Sequence, residues 1–171
     1  TSLRNRLPEN VLINTIPIIS SLNNPTIQEI VNELNAEVLF GGDYLDNQVS
    51  SFSVGAMQLR NYLSYIKENE LVITPGDRAD IILGSLQANE SANYPTVSGI
   101  VLTAGIKPDD TILKLIEGLS SIVPIISVAE GTFAITNRIG AIKSKIYANN
   151  KQKILTSINT FEKFVDLDSL S

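Results

Sequence analysis

The 171 residues predict an α/β domain, an open and mainly parallel β-sheet flanked by helices. Three observations lead there. Short β-branched runs stand at Leu71-Val72-Ile73-Thr74, Gly99-Ile100-Val101-Leu102-Thr103 and Pro124-Ile125-Ile126-Ser127-Val128, continuous rather than alternating. Strands buried on both faces read this way, as they do in parallel sheets covered by helices. Segments of helical periodicity separate the runs. Strand and helix therefore alternate over residues 70–140, the pattern of right-handed βαβ units.

In chain order, an apolar stretch (Val11-Leu12-Ile13 and Ile16-Pro17-Ile18-Ile19) precedes Asn23-Asn24-Pro25, a break that places the domain start near Pro25. Thr26 stands three residues before Glu29 as a capping box, and Ile27, Ile30, Val31 and Leu34 follow at i, i+3, i+4, i+7. Glu37-Val38-Leu39-Phe40 and the run from Gln48 to Val54 are further strands, with Gly41-Gly42-Asp43-Tyr44 as a turn. Leu59, Tyr62, Leu63 and Ile66 mark a helix. Asp77, three residues before Asp80, is read as the cap of another, with Ala79, Ile82, Leu83 and Leu86 as its stripe. Pro108-Asp109-Asp110 opens the next, striped by Ile112, Leu115, Ile116 and Leu119. One helix follows Gly131-Thr132, and the last runs from about Asn150 with Ile154, Ile158, Phe161 and Val165. The domain is expected over 25–165, after a preceding remnant or linker at 1–24 and before a polar tail at 166–171.

Composition removes most catalytic machinery. The chain has no His, Cys or Trp, and one Met, Met57. That excludes an imidazole base, a thiolate nucleophile, a structural zinc site and a disulfide. A formal charge of −5 argues against nucleic-acid binding, which needs clustered positive charge. No Gly-Lys dipeptide and no Gly-x-Gly-x-x-Gly occur, so neither a P-loop nor a dinucleotide fingerprint is present. Asp43/Asp46, Asp109/Asp110 and Asp166/Asp168 are read as capping and solubility groups ahead of Mg²⁺ ligands. No apolar run approaches the ~18–20 residues that span a bilayer, and a cytoplasmic location is the expectation. An opening at Thr1 rather than Met hints at a piece of a longer chain.

The three central strands each lead into a Gly-containing loop: Thr74-Pro75-Gly76-Asp77-Arg78, Thr103-Ala104-Gly105-Ile106-Lys107-Pro108-Asp109, and Ala129-Glu130-Gly131-Thr132. In an open parallel sheet such loops gather at the carboxyl edge, where ligands bind. Gly76, Gly105 and Gly131 would each permit a positive φ or a close backbone approach. Two readings stand open, ordinary turn and cap chemistry or an anion site at helix starts. Arg78 sharpens the choice. A cation in a helix's first turn opposes the dipole, so it calls for a carboxylate partner or an anionic ligand.

The run Leu71–Thr74 with Pro75-Gly76-Asp77-Arg78-Ala79-Asp80, followed by Thr103-Ala104-Gly105, resembles the DRTGG domain, whose motif pairs Asp-Arg with a later Thr-Gly-Gly. Pro25-Thr26-Ile27-Gln28-Glu29-Ile30, Ala36 to Gly42, Pro124 to Val128 and Thr132 also fit, so the likeness covers about 25–165. Ala104 departs from the family's Gly. The variety most resembled is the middle domain of long bacterial phosphate acetyltransferases, between a dethiobiotin-synthetase-like P-loop domain and a catalytic acetyltransferase domain. Residues 1–24 resemble the tail of that P-loop domain. Similar domains accompany CBS domains in some regulated pyrophosphatases.

The resemblance implies a non-catalytic regulatory and assembly domain, needing no cofactor, that contacts a small anionic effector or a partner subunit. Its loop cluster would be Gly76, Asp77, Arg78, Thr103, Gly105 and Thr132. The expected partners are a second copy in a homodimer and the flanking domains of a parent chain, with no nucleic acid and no membrane. Two alternatives stand beside it. One is a structural homodimerisation module without ligand, using Phe52, Val54 and Met57. The other is a small α/β enzyme working through Asp and Lys or a bound Mg²⁺.

Overall fold

A computed structural model describes residues 6, 8, 11, 13–119, 122–148 and 150–166. Residues 1–4, Leu12 and all but Asp166 of the expected tail 166–171 lie outside them. The elements are α1 (Ser20–Asn23), α2 (Ile27–Leu34), β1 (Glu37–Phe40), β2 (Ser51–Val54), α3 (Leu59–Leu63) and β3 (Glu70–Pro75). After them come α4 (Ala79–Glu90), β4 (Val97–Thr103), α5 (Asp110–Glu117), β5 (Ile125–Ser127), α6 (Thr132–Ala141) and α7 (Lys151–Phe164). The chain divides into two compact units, Asn24–Ser144 and a second made of Thr1–Asn23 with Lys145–Ser171. The sheet-bearing unit thus ends before α7, which the sequence reading carried into the domain as far as 165.

In the Asn24–Ser144 unit the five strands are ordered β1-β5-β4-β3-β2. β2 to β5 are mutually parallel, and β1 is antiparallel to β5 at the edge. Every residue of β4 is buried, as is β3 from Glu70 to Thr74. Their side chains serve two cores. Val72, Ile100, Leu102 and Ile125 pack with Tyr62 of α3, Ile81, Ile82 and Leu86 of α4, and Ile116 of α5. On the opposite face Leu71, Ile73, Val101 and Ile126 pack with Ile27, Ile30 and Leu34 of α2 and with Ile135 and Ile139 of α6. Each such aliphatic side chain contributes about 1.5–3 kcal/mol on full burial. The continuous apolar runs arise from this two-sided cover.

The helix starts show which local signals act. Thr26 N–H donates to Glu29 Oε2 at 2.8 Å and Glu29 N–H to Thr26 Oγ1 at 3.2 Å, completing the capping box of α2. Asp109 caps α5, its Oδ1 accepting from the N–H groups of Thr111 and Ile112. α4 departs from expectation. Its cap position is Arg78, with no side-chain cap bond, and Asp77 lies one residue too early. Asp80, the second half of the expected cap pattern, is instead held by Arg78.

Periodicity shows which residues share a face, not what covers that face. Leu115 of α5 is 56% exposed, although Ile116 beside it is fully buried. In the other unit, whose helices are α1 and α7, Asn150 caps α7 as expected, with Oδ1 accepting from Lys153 N–H at 2.9 Å. Ile158 and Phe161 of its apolar stripe are nevertheless half-exposed. Among the described residues no helix is long and apolar enough to cross a membrane.

At the amino edge, β3 and β4 slip register. Glu70 pairs with Val97 but Leu71 with Gly99, so Ser98 forms a bulge. Loop side chains and backbone satisfy it: Asn47 Nδ2 donates to the Ser98 carbonyl at 3.1 Å, and Ser98 Oγ to the Gln48 carbonyl at 2.6 Å. In the core, Tyr62 Oη and Ser85 Oγ hydrogen-bond at 2.7 Å, and Ser85 Oγ donates to the Ile81 carbonyl. Burial pushes the Tyr62 phenol up to about 12, outweighing the Ser85 bond that favours the ionised form. The folded pKa lies above the unfolded one, so this contribution is complete below pH ~10 and is lost as pH rises from there to about 12. Urea unfolding across that window is expected to show stability falling with an added slope of about 1.4 kcal/mol per pH unit. The Tyr62→Phe variant should lack that added slope; equal slopes in both proteins would refute burial as its cause.

Candidate functional site

The four parallel strands deliver their following loops to one edge. β2 runs into Gly55–Gln58, β3 into Gly76–Arg78, β4 into Ala104–Asp109 and β5 into Val128–Gly131. At or next to the ends of the three central strands stand buried polar residues, Thr74, Thr103 and Ser127. The loops are knitted to one another rather than splayed around a crevice.

Gly76 is the tightest point. A Cβ there would lie 1.9 Å from the Ile106 carbonyl oxygen and 3.1 Å from Lys107 Cα, so the β3–α4 turn lies directly against the β4–α5 loop. Ala104 and Gly105 both take left-handed backbone, with φ of 64° and 65°. Ile106 N–H reaches the Thr103 carbonyl at 3.4 Å, closing a turn with both central residues at positive φ. The turn's amides are engaged: Ala104 N–H donates to the Glu130 carbonyl at 2.8 Å and Gly105 N–H to that of Val128 at 2.9 Å. Thr103 and Thr132 hydroxyls meet at 2.8 Å, tying the end of β4 to the start of α6. Gly131 needs neither freedom expected of it, having φ −71° and no atom within 4 Å of an added Cβ.

Arg78 is a clamp. Its Nε and Nη2 hold both oxygens of Asp80 at 2.8 and 2.9 Å. Nη1 donates to the carbonyl of Gly55 at 3.1 Å and more weakly to that of Ala56, and Nη2 to Met57 at 2.8 Å. The guanidinium therefore fastens the β2–α3 loop to the start of α4, with its five N–H donors in use. The hydrogen bond to Asp80 raises the Arg78 pKa, and Arg78 holds the Asp80 carboxyl below its usual value. Asp77 is exposed, with no hydrogen bond among the described residues. Beside the cluster, Lys107 pairs with Glu37 of β1, and Arg138 of α6 pairs with Glu130.

Residues 29–142 match the DRTGG domain family. The chain belongs to that family. A phosphate acetyltransferase of Nitratidesulfovibrio vulgaris is 39% identical over 156 residues, which are 91% of this chain and 22% of that protein. Another, from Synechocystis sp., is 40% identical over 161 residues, covering 94% of this chain and 23% of the relative. The chain spans under a quarter of the length of these relatives. A crystal structure of the CBS and DRTGG domains of the regulatory region of Clostridium perfringens pyrophosphatase, complexed with the activator diadenosine tetraphosphate, shares the fold. Its TM-score is 0.56 at 18% identity, over 91% of this chain and 66% of that one.

In this DRTGG domain the motif residues Gly76, Arg78, Thr103, Gly105 and Thr132 come together at the carboxyl edge, while Asp77 faces solvent. The middle position of the Thr-Gly-Gly element is a left-handed site, and Ala104 occupies it at a cost of roughly 1–2 kcal/mol. Sequence reasoning missed the carbonyls of Gly55 and Met57, because main-chain oxygens carry no residue signature. It also missed a groove of about 710 Å³ along α3, α4 and α5, which meets the cluster at Ala79 and Asp80. Among the described residues no group of His, Cys, Asp or Glu could hold a metal ion.

Three substitutions separate these roles. Gly76→Ala should destabilise by about 3 kcal/mol, since a backbone carbonyl blocks the methyl. Ala104→Gly should stabilise by about 0.5–1 kcal/mol, the relief of strain exceeding the added unfolded-chain entropy. Arg78→Ala should lose about 1–2 kcal/mol and speed amide exchange over 55–58. Denaturant unfolding and hydrogen exchange measure all three; a destabilised Ala104→Gly protein would contradict the assigned turn.

Proposed function

We propose that this chain is a regulatory and assembly domain of a phosphate-acetyltransferase-like protein and carries no catalytic centre of its own. The observation that carries the reading is DRTGG membership at about 40% identity to a segment that makes up less than a quarter of phosphate acetyltransferases. Support comes from the neighbour whose DRTGG domain belongs to a regulatory region bound to an activator. The absence of His and Cys from the sequence agrees with catalysis residing in another part of a longer cytoplasmic parent. Flanking P-loop and acetyltransferase domains are its proposed covalent neighbours.

The proposed effector is a small anion at the carboxyl edge, bound near Asp77, Arg78, Thr103, Gly105 and Thr132. Because Arg78 has no spare donor, binding there is an exchange in which the anion displaces Asp80, whose side chain is 44% exposed. Millimolar acetyl phosphate, pyruvate, NADH and adenine nucleotides should be screened by thermal shift. At least one is expected to raise Tm, and Asp80→Asn should strengthen that effect by freeing one donor and removing the carboxylate charge that competes for Arg78. No shift with any of them, or an unchanged response in Asp80→Asn, would sink effector binding at this edge.

Assembly has its own support. Phe52, Val54 and Met57 are 38, 37 and 40% exposed along the β2 edge, a patch suited to a second copy. Sedimentation of the chain should show a dimer that Phe52→Asp weakens; a monomer at high concentration would count against self-association.

A further inference from the structure

The edge opposite the motif loops holds a cavity of about 220 Å³ with a different chemistry. Four carboxamide residues line it, Asn47, Gln48, Asn69 and Asn89, together with Tyr44. Val97, Ile122 and Val123 supply apolar wall, and no charged side chain is among the described lining residues.

Two of the amides are partly engaged by the bulge. Asn47 Nδ2 donates to the Ser98 carbonyl, and Asn89 Oδ1 accepts from Val97 N–H at 3.2 Å. The remaining groups, Asn47 Oδ1, Asn89 Nδ2 and both ends of the Gln48 and Asn69 amides, have no protein partner among the described residues. Asn69 is held at a positive φ of 54°, with its own N–H tied to the Thr96 carbonyl and its carbonyl accepting from Ser50 N–H. Its side chain is thus carried on a fixed backbone.

This donor set selects a ligand class. A carboxamide presents a donor and an acceptor side by side in one plane, which matches the adjacent donor and acceptor on a purine edge. An anion finds no cation here, and the Glu68 carboxylate beyond Thr96, accepting its N–H at 3.0 Å, would repel one. The volume lies below the ~300–1,000 Å³ of drug-sized sites, so it suits a single ring system. We propose that this amino-edge cavity binds an uncharged purine, as base or nucleoside, through Gln48, Asn69 and Asn89, with any phosphate left outside in solvent. The proposal shares with the carboxyl-edge reading only the premise that the domain takes a small molecule.

The test is a titration of the ¹⁵N-labelled 171-residue chain with adenosine, run beside inorganic phosphate and acetyl phosphate. Adenosine should give saturable shifts at Gln48, Asn69, Asn89 and Thr96. Gln48→Ala and Asn69→Gly, the latter suited to the positive φ, should each weaken binding about tenfold, with Tm unchanged. No shift up to ~10 mM adenosine, well above a millimolar dissociation constant, overturns the proposal. So does an affinity that survives both substitutions. Shifts confined to Gly76–Arg78 and Thr103–Gly105 under acetyl phosphate report on the carboxyl edge alone, so either reading can fail while the other stands.

Discussion

The side-by-side pairing of β3 and β4 is the constraint on which the Asn24–Ser144 unit depends. Their register aligns Val72 with Ile100 and Ile73 with Val101, and this sends alternate residues into two separate cores. Two apolar faces demand two helical layers, so α3, α4 and α5 cover one side and α2 and α6 the other. Parallel direction then forces the loops after the strands to one edge. The motif residues are neighbours because the central pair is parallel and buried on both faces.

What that edge does is bind itself. The Asp-Arg element fastens two loops through carbonyl oxygens, the Thr-Ala-Gly turn hydrogen-bonds to the β5–α6 loop, and Gly76 lets two backbones touch. An isolated cation at a helix start was the sharpest chemical hint in the sequence, and the dipole argument behind it holds. Arg78 found its compensation in Asp80 and in main-chain oxygens. Under the proposed effector binding, a ligand at this edge would compete with existing bonds rather than fill an empty receptacle.

Much of this was legible in the sequence. The continuous runs at 71–74, 99–103 and 124–128 became the three central strands, and the Thr26 and Asp109 caps formed as read. Resemblance to the DRTGG domain also held, over residues 29–142. The failures have physical causes. Asp77 did not cap α4, because Arg78 drew Asp80 away and the helix began one residue later. Leu115 and Phe161 sit on helical stripes yet meet solvent, since spacing carries no information about what lies opposite. The amino-edge cavity had no signature at all: scattered Asn and Gln residues look like loop composition until a bulge at Ser98 brings them together.

The antiparallel β1 has a consequence for the molecule's behaviour at high concentration. A parallel sheet left open at both sides would offer two templates for strand addition. Here β1 caps one side with four residues and a register break between Val38 and Phe40, while β2 supplies only four residues on the other. Each margin is too short or too irregular to nucleate an extended cross-β stack, although Phe52 and Val54 are partly bare. The central, strongly apolar strands are thereby kept out of reach of aggregation.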